Sequence, residues 1–295
     1  MTTQERVPDR RLAAWRADLA DLRLQGRVTA ERFVAGRPME IVVPVADLRS
    51  APRADAGLDT QLLRGDPVLV FEEAEDWAWV QSSVDGYVGY VAAADIGRPG
   101  PQATHQVGVP RTFLYSEADM KRPRTAALPL GARLNVVGHA ETRGTVYALL
   151  DTGDAVVAAH LLPVEEQAAD FVAVAETLVL TPYLWGGASP FGLDCSGLVQ
   201  LSMRIAGKTV LRDTDMQAAS IGVPVAANAA LSGLRRGDLV FWKGHVGIMT
   251  DAETLIHANG HTMMVSVEPL RQAVERIGYL YGGPTMVRRP DATPQ

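Results

Sequence analysis

The chain has 295 residues, of which 47% are hydrophobic and 21% charged, with a mean hydropathy of +0.03. That balance belongs to a folded chain long enough for two or three domains, and it excludes fibrous, collagen-like and mainly disordered states. Lys and Arg number 28 against 34 Asp and Glu, a net charge of −6, so no global field draws phosphate backbones and nucleic acid is excluded as the expected partner.

The N-terminal segment scatters charges every few residues. Its longest apolar run, Leu12-Ala13-Ala14-Trp15, is too short for a signal peptide. No uncharged apolar stretch approaches the roughly 18 residues that span a bilayer, so the chain is expected to be soluble and cytoplasmic, with no membrane partner. Leu12, Trp15, Ala20, Leu22 and Phe33 recur loosely at helical spacing, which predicts an N-terminal helical arm over residues 1–38, packed on the body.

From about residue 40 the pattern becomes one of short β-type runs, Ile41-Val42-Val43, Val68-Leu69-Val70-Phe71, Trp77-Ala78-Trp79-Val80 and Tyr87-Val88-Gly89-Tyr90-Val91, punctuated by Pro, Gly and Asp. The plan recurs after Pro110: Leu48 and Leu114, Ser50 and Ser116, Gly65 and Gly131, and Val70 and Val136 are all 66 residues apart. Two small SH3-like β-barrels are therefore expected, at 39–100 and 104–163. The first copy carries Trp77, Trp79, Tyr87 and Tyr90, which either line a cleft or fill the barrel core.

A third domain is expected over 164–292. Ala168, Phe171, Val172, Ala175 and Leu178 or Val179 fall on one helical face, ended by Pro182. A Gly-rich loop at 184–192 leads into Asp194-Cys195-Ser196-Gly197, after which Leu198, Leu201 and Ile205 mark a second helix closed by Gly207, so Cys195 opens a helix. Runs at 238–242, 246–249 and 254–257 read as strands, as do Tyr279-Leu280-Tyr281 and Thr285-Met286-Val287. Helices followed by strands give an α+β order.

Cys195 is the single cysteine, so it cannot close an intrachain disulfide and the chain carries no mark of an oxidising compartment. A thiol at a helix N-terminus feels the positive end of the peptide dipoles, which predicts a lowered pKa; burial in an apolar core would do the opposite and make it a small hydrophobe. A nucleophilic thiol needs a base, and imidazole has the matching pKa. His245 follows the turn Lys243-Gly244 at the start of a strand, and His257 ends the next strand, where it can orient His245 by accepting its second N–H. Cys195, His245, His257 and His261 are also possible zinc ligands. Asn259 and Gly260 stand where a helix would be needed to bring the rings of 257 and 261 to one face, so no metal is expected. His105, His139 and His160, in the repeat region, read as structural.

Across about residues 165–290 the sequence resembles the NlpC-type cell-wall cysteine peptidases. The resemblance rests on Tyr183-Leu184-Trp185-Gly186-Gly187, Phe191-Gly192-Leu193-Asp194-Cys195-Ser196-Gly197, Arg212-Asp213-Thr214-Asp215-Met216-Gln217, Gly237-Asp238-Leu239-Val240-Phe241-Trp242 and Gly244-His245-Val246-Gly247-Ile248, in the family's order. It implies a papain-like α+β catalytic domain with Cys195 as nucleophile, His245 as general base, His257 as polar third residue and no cofactor. Two SH3-like barrels ahead of such a domain resemble the γ-D-glutamyl-L-diamino acid endopeptidases, which act on peptidoglycan-derived muropeptides bearing a free N-terminal L-Ala.

By that resemblance Asp194 pairs with the substrate ammonium, while Ser196, Tyr183 and Trp185 line the cleft and Thr214 stands at its border. Arg212 and Asp213 border it, Arg212 being also a candidate ion-pair partner, and Asp194 by its position also caps the helix. Asp66 and Tyr87 are the nearest counterparts of a Glu and a Tyr that the subgroup's first barrel places near the amine; Asp is one methylene shorter than Glu, and Thr214 stands for the family's usual Ser. The sequence leaves two rivals open. One is an amidase or acyltransferase using the same Cys and His; the other is a catalytically idle protein that binds wall fragments.

Overall fold

The computed structural model describes residues 7–225 and 233–290, which form two compact units dividing between Glu165 and Glu166. The first six residues of the expected arm and the last two of the expected third domain lie outside the described residues. Among the described residues no helix is long and apolar enough to cross a membrane.

Among the described residues the expected N-terminal α-helix is not formed. Leu19–Asp21 is a strand paired in parallel with Arg32–Val34, followed by a 3-10 turn at Leu22–Leu24 in which the Asp21 side chain accepts the Arg23 N–H. Local hydrogen bonding by Asp competes with the helix, and the apolar residues bury on the β-body instead. Ala14 and Leu19 pack on Phe71 and Trp79, and Arg16 lies over the Trp79 ring while bonding Asp18, Glu72 and the Tyr90 hydroxyl. Trp79 is thus a core residue, and Leu22, assigned to the helical face, is exposed.

In the rest of this unit the strands Val45–Arg49 and Leu58–Leu63 have counterparts exactly one repeat on, at Arg111–Tyr115 and Arg124–Pro129. Gly65 (φ +80°) and Gly131 (φ +84°) both take the left-handed conformation at the same point of each copy, which accounts for glycine at that spacing. The first copy forms a seven-stranded sheet running from Leu58–Leu63 at one edge to Ile96–Gly97 at the other. The second divides into five- and three-stranded sheets around Val107, Leu114, Leu128, Leu134, Leu150 and Val156. Each of these sheets keeps two edges, so the order of hydrogen-bonded strands is open and no barrel closes in either copy.

The second unit is α+β. Helix α1 (Phe171–Glu176) is shorter than the apolar pattern suggested; Asp170 caps it, and the chain turns at Thr177 toward Leu180, whose φ is +70°. Helix α2 (Cys195–Ile205) and helix α3 (Thr214–Ser220) precede a six-stranded sheet in the order Val223–Val225, Met286–Arg289, Leu239–Trp242, His245–Met249, Thr254–Asn259, Met264–Pro269. Helix α4 (Leu270–Tyr281) includes Tyr279-Leu280-Tyr281, read from sequence as a strand. Leu270, Ala273 and Ile277, at spacing three and four, bury against Val240, Trp242, Met249 and Leu255 and settle the segment as a helix.

Candidate active site

Cys195 is the first residue of α2, and its position is fixed by the residue before it. Asp194 takes extended backbone angles, and its carboxylate accepts from the Gly197 N–H at 2.7 Å, the capping arrangement expected of Asp. The same carboxylate accepts the Gly186 N–H at 3.0 Å and is gripped at both oxygens by Arg212, at 3.0 and 2.6 Å. Arg212 is 1% exposed and also donates to the Ser196 hydroxyl at 2.7 Å, which itself donates to Asp194. A buried guanidinium of this kind is tolerated because its fork matches a carboxylate. Asp194, Ser196 and Arg212 therefore form a charge-neutral knot that locks the Gly-rich loop to the helix start. Gln217 of α3 adds a tie, donating to the Ser196 and Leu211 carbonyls.

The Cys195 residue is 7% exposed. Its sulfur lies 4.0 Å from the Gly244 carbonyl and receives the Val246 backbone N–H, so the two residues that flank His245 in the chain both face it. Thr214 places its hydroxyl 4.0 Å from the sulfur. Burial pushes the thiol up to about 11, with the Asp194 carboxylate adding in the same direction. The helix-terminus argument predicted a lowered value and is overturned: desolvation of the thiolate outweighs the partial charge of the helix end.

His245 begins the strand His245–Met249 opposite Trp242, whose ring centroid is 5.7 Å from its own. Its Nε2 is 2.8 Å from Nδ1 of His257, and Nε2 of His257 is 2.7 Å from Glu268 Oε1, which also accepts from Arg276. Burial, then the His257 and Arg276 charges, push His245 down to about 3, so both members of the Cys–His pair rest uncharged at neutral pH. His257 spends both ring nitrogens on His245 and Glu268, which leaves it none for a metal, and His261 lies in the turn bound to Asn259. Among the described residues no group of three or more His, Cys, Asp or Glu side chains is arranged to hold a metal ion.

Tyr183 is half-buried, and burial followed by the charges of Cys195 and Asp194 keeps its phenol protonated, pushed up to about 12. Trp185 is 74% exposed beside it in the chain. Asp66 and Tyr87 belong to the other unit. Both are buried there, Asp66 accepting the Leu63 N–H in a turn.

Glu268 and Arg276 were missed in the sequence. The signal was the hairpin Thr254–Asn259/Met264–Pro269: its register sets His257 opposite Ser266, which makes Glu268 the diagonal neighbour on the same face. The strand carrying Glu268 had not been recognised, so neither had the pairing.

Comparison with known proteins adds a second line of evidence. The NlpC/P60 family profile matches residues 180–277, and the bacterial dipeptidyl-peptidase SH3 domain profile matches 48–96. The chain is 31% identical over 231 residues to the gamma-D-glutamyl-L-lysine dipeptidyl-peptidase of Bacillus subtilis, covering 69% of this chain and 73% of that protein. It is 27% identical over 239 residues to dipeptidyl-peptidase 6 of Lysinibacillus sphaericus, covering 74% and 86%. Its fold is that of an NlpC/P60 family protein from Bacillus cereus, with a TM-score of 0.70 at 22% identity over 86% of this chain and 99% of the other.

Proposed function

The chain belongs to the NlpC/P60 family and is a cysteine peptidase with an SH3 domain, and we propose that it hydrolyses the bond between γ-D-Glu and a diamino acid, diaminopimelate or lysine, in muropeptides with a free N-terminal L-Ala. The observation that carries the reading is the seating of the single thiol at the head of α2 against the backbone on both sides of His245, with His257 hydrogen-bonded behind that ring.

With thiol and imidazole both uncharged, attack and proton transfer are one event. Cys195 Sγ bonds to the γ-carbonyl carbon as its proton passes to His245 Nδ1, and the first N–H groups of α2 take the oxyanion. His245 then gives that proton to the departing amine of the diamino acid, leaving a thioester. Water, deprotonated by His245, cleaves the thioester, releases L-Ala-D-Glu and returns the proton to sulfur. Asp194 is the candidate partner of the substrate ammonium. It would accept that charge beside Arg212, with Tyr183, Trp185, Ser196 and Thr214 around it. A required free amine confines the reaction to peptides already released from the wall, which is the chemistry of recycling in the cytoplasm.

Mass spectrometry of L-Ala-γ-D-Glu-diaminopimelate incubated with the enzyme tests this. Wild type should release L-Ala-D-Glu, Cys195→Ala should release none, and N-acetylation of the peptide should abolish turnover because an amide cannot pair with a carboxylate. Equal turnover of the acetylated peptide would remove the amine requirement, and activity surviving in Cys195→Ala would remove the nucleophile.

A further inference from the structure

Behind the pair that would perform the chemistry, the hydrogen-bonded chain continues for two more residues than the three already assigned. His257 is 0% exposed and makes two ring contacts, 2.8 Å from Nδ1 to His245 Nε2 and 2.7 Å from Nε2 to Glu268 Oε1. An ionised carboxylate only accepts, so the shared proton of the second contact belongs to His257 Nε2. A neutral imidazole carries one N–H, which leaves His257 Nδ1 bare. The first contact also needs one proton, and that proton must then sit on His245 Nε2. The remaining nitrogen, His245 Nδ1, is bare and is the one left for the thiol.

We propose that Glu268, clamped by Arg276, is a positioning residue that fixes the tautomers of both histidines in series, so that His245 presents an unprotonated Nδ1 to Cys195. The inference rests on Cys195 and His245 being the reacting pair, as argued above. The alternative set of tautomers, with protons on His257 Nδ1 and His245 Nδ1, would place an N–H toward the sulfur and a bare nitrogen toward Glu268, setting two acceptors 2.7 Å apart.

Arg276 has a separate part. Glu268 and Arg276, one charge of each sign, both bear on His245. The hydrogen bond from His257, then the His257 and Arg276 charges, hold the Glu268 carboxyl below its ordinary value, so it stays an acceptor through the neutral range. The guanidinium offsets the carboxylate's pull for a proton on His245, which helps to keep the Nδ1 of that ring bare. Placement follows from the fold: Arg276 comes from α4, which packs on the face of the sheet holding Leu255, and Leu255 and His257 share that face.

The test is a nitrogen-15 spectrum of the ring nitrogens in the full-length chain labelled at histidine, with His257→Gln assigning the signals, together with steady-state kinetics of Glu268→Gln and Glu268→Asp on the γ-D-Glu peptide. Wild type should show His245 protonated at Nε2 and bare at Nδ1. Glu268→Gln keeps the shape but can offer an N–H to His257. It should mix the tautomers and lower kcat by about 10- to 100-fold with KM changed less than about twofold, and Glu268→Asp should restore most of the loss. A wild-type His245 carrying its proton on Nδ1, or a Glu268→Gln enzyme with undiminished kcat, overturns the proposal. Should Glu268→Gln not fold, the wild-type spectrum decides alone. That spectrum involves no substrate, so a wrong choice of peptide would silence the kinetics without touching the tautomer result.

Discussion

At the Cys195 sulfur two influences oppose each other: the N-terminus of α2 favours negative charge there, and the surrounding protein excludes the water that would stabilise it. Burial wins, taking the thiol up to about 11 while the ring beside it is taken down to about 3. A thiolate-imidazolium pair would need the reverse order of these values. The free enzyme should therefore show no thiolate ultraviolet absorbance at neutral pH, and a signal absent from Cys195→Ala should grow in only as pH approaches 11. A Cys195-dependent thiolate band at pH 7 would refute the neutral pair. The nucleophile and its two histidines could be picked out of the sequence because each occupies a distinctive local setting: after a Gly loop, after a tight turn, at a strand end. The direction of the thiol's shift could not, because desolvation depends on what folds over the sulfur from strands 50 residues away.

Helix α2 meets the Gly-rich loop at closer range than any side chain allows. A Cβ on Gly197 would lie 2.1 Å from the Gly187 carbonyl oxygen and 3.1 Å from Asp194 Oδ1, both fixed by the capping and Arg212 bonds. Gly197→Ala should therefore push the helix start off the loop, destabilise the unit by about 1–3 kcal/mol and displace Cys195, with kcat falling alongside. Gly260→Ala, where a Cβ meets nothing within 4 Å, should stay within about 0.5 kcal/mol and keep full activity. Denaturant midpoints of the two variants make the comparison, and equal midpoints would refute the close-approach argument. Elements were legible where a periodic face coincided with a cap or a turn signal, as at α2 and the strands around His245. They were misread where those signals parted. The N-terminal segment had helical spacing, but its Asp21 side chain caps only a three-residue 3-10 turn, and Tyr279-Leu280-Tyr281 had strand-like residues at the end of a helix whose buried face lies earlier, at Leu270, Ala273 and Ile277. Glu268 was lost with its unrecognised strand.

For the molecule as a whole, the uncharged pair is a liability on both sides of neutrality. In an unfolded chain His245 takes a proton near its ordinary 6.5, whereas the folded site refuses one until about pH 3, so the unfolded state binds the extra proton throughout that window and stability falls as pH drops through it. Glu268, held below its ordinary 4.5, contributes stability above that value that is lost on further acidification. On the alkaline side the unfolded thiol releases its proton near 9.0 and the folded one near 11, so stability falls as pH rises between them. Each limb is on the order of a few kcal/mol. Hydrogen exchange of the Val246–Met249 amides, which sit in the sheet beside the site, should report both limbs as faster opening. Cys195→Ala should flatten the alkaline limb alone and His245→Gln the acid limb between about pH 6.5 and 3, a division that a general loss of fold at extreme pH would not produce. If both variants keep both limbs, the two groups are not held neutral by the fold, and the coupled attack and proton transfer drawn from their burial falls with them.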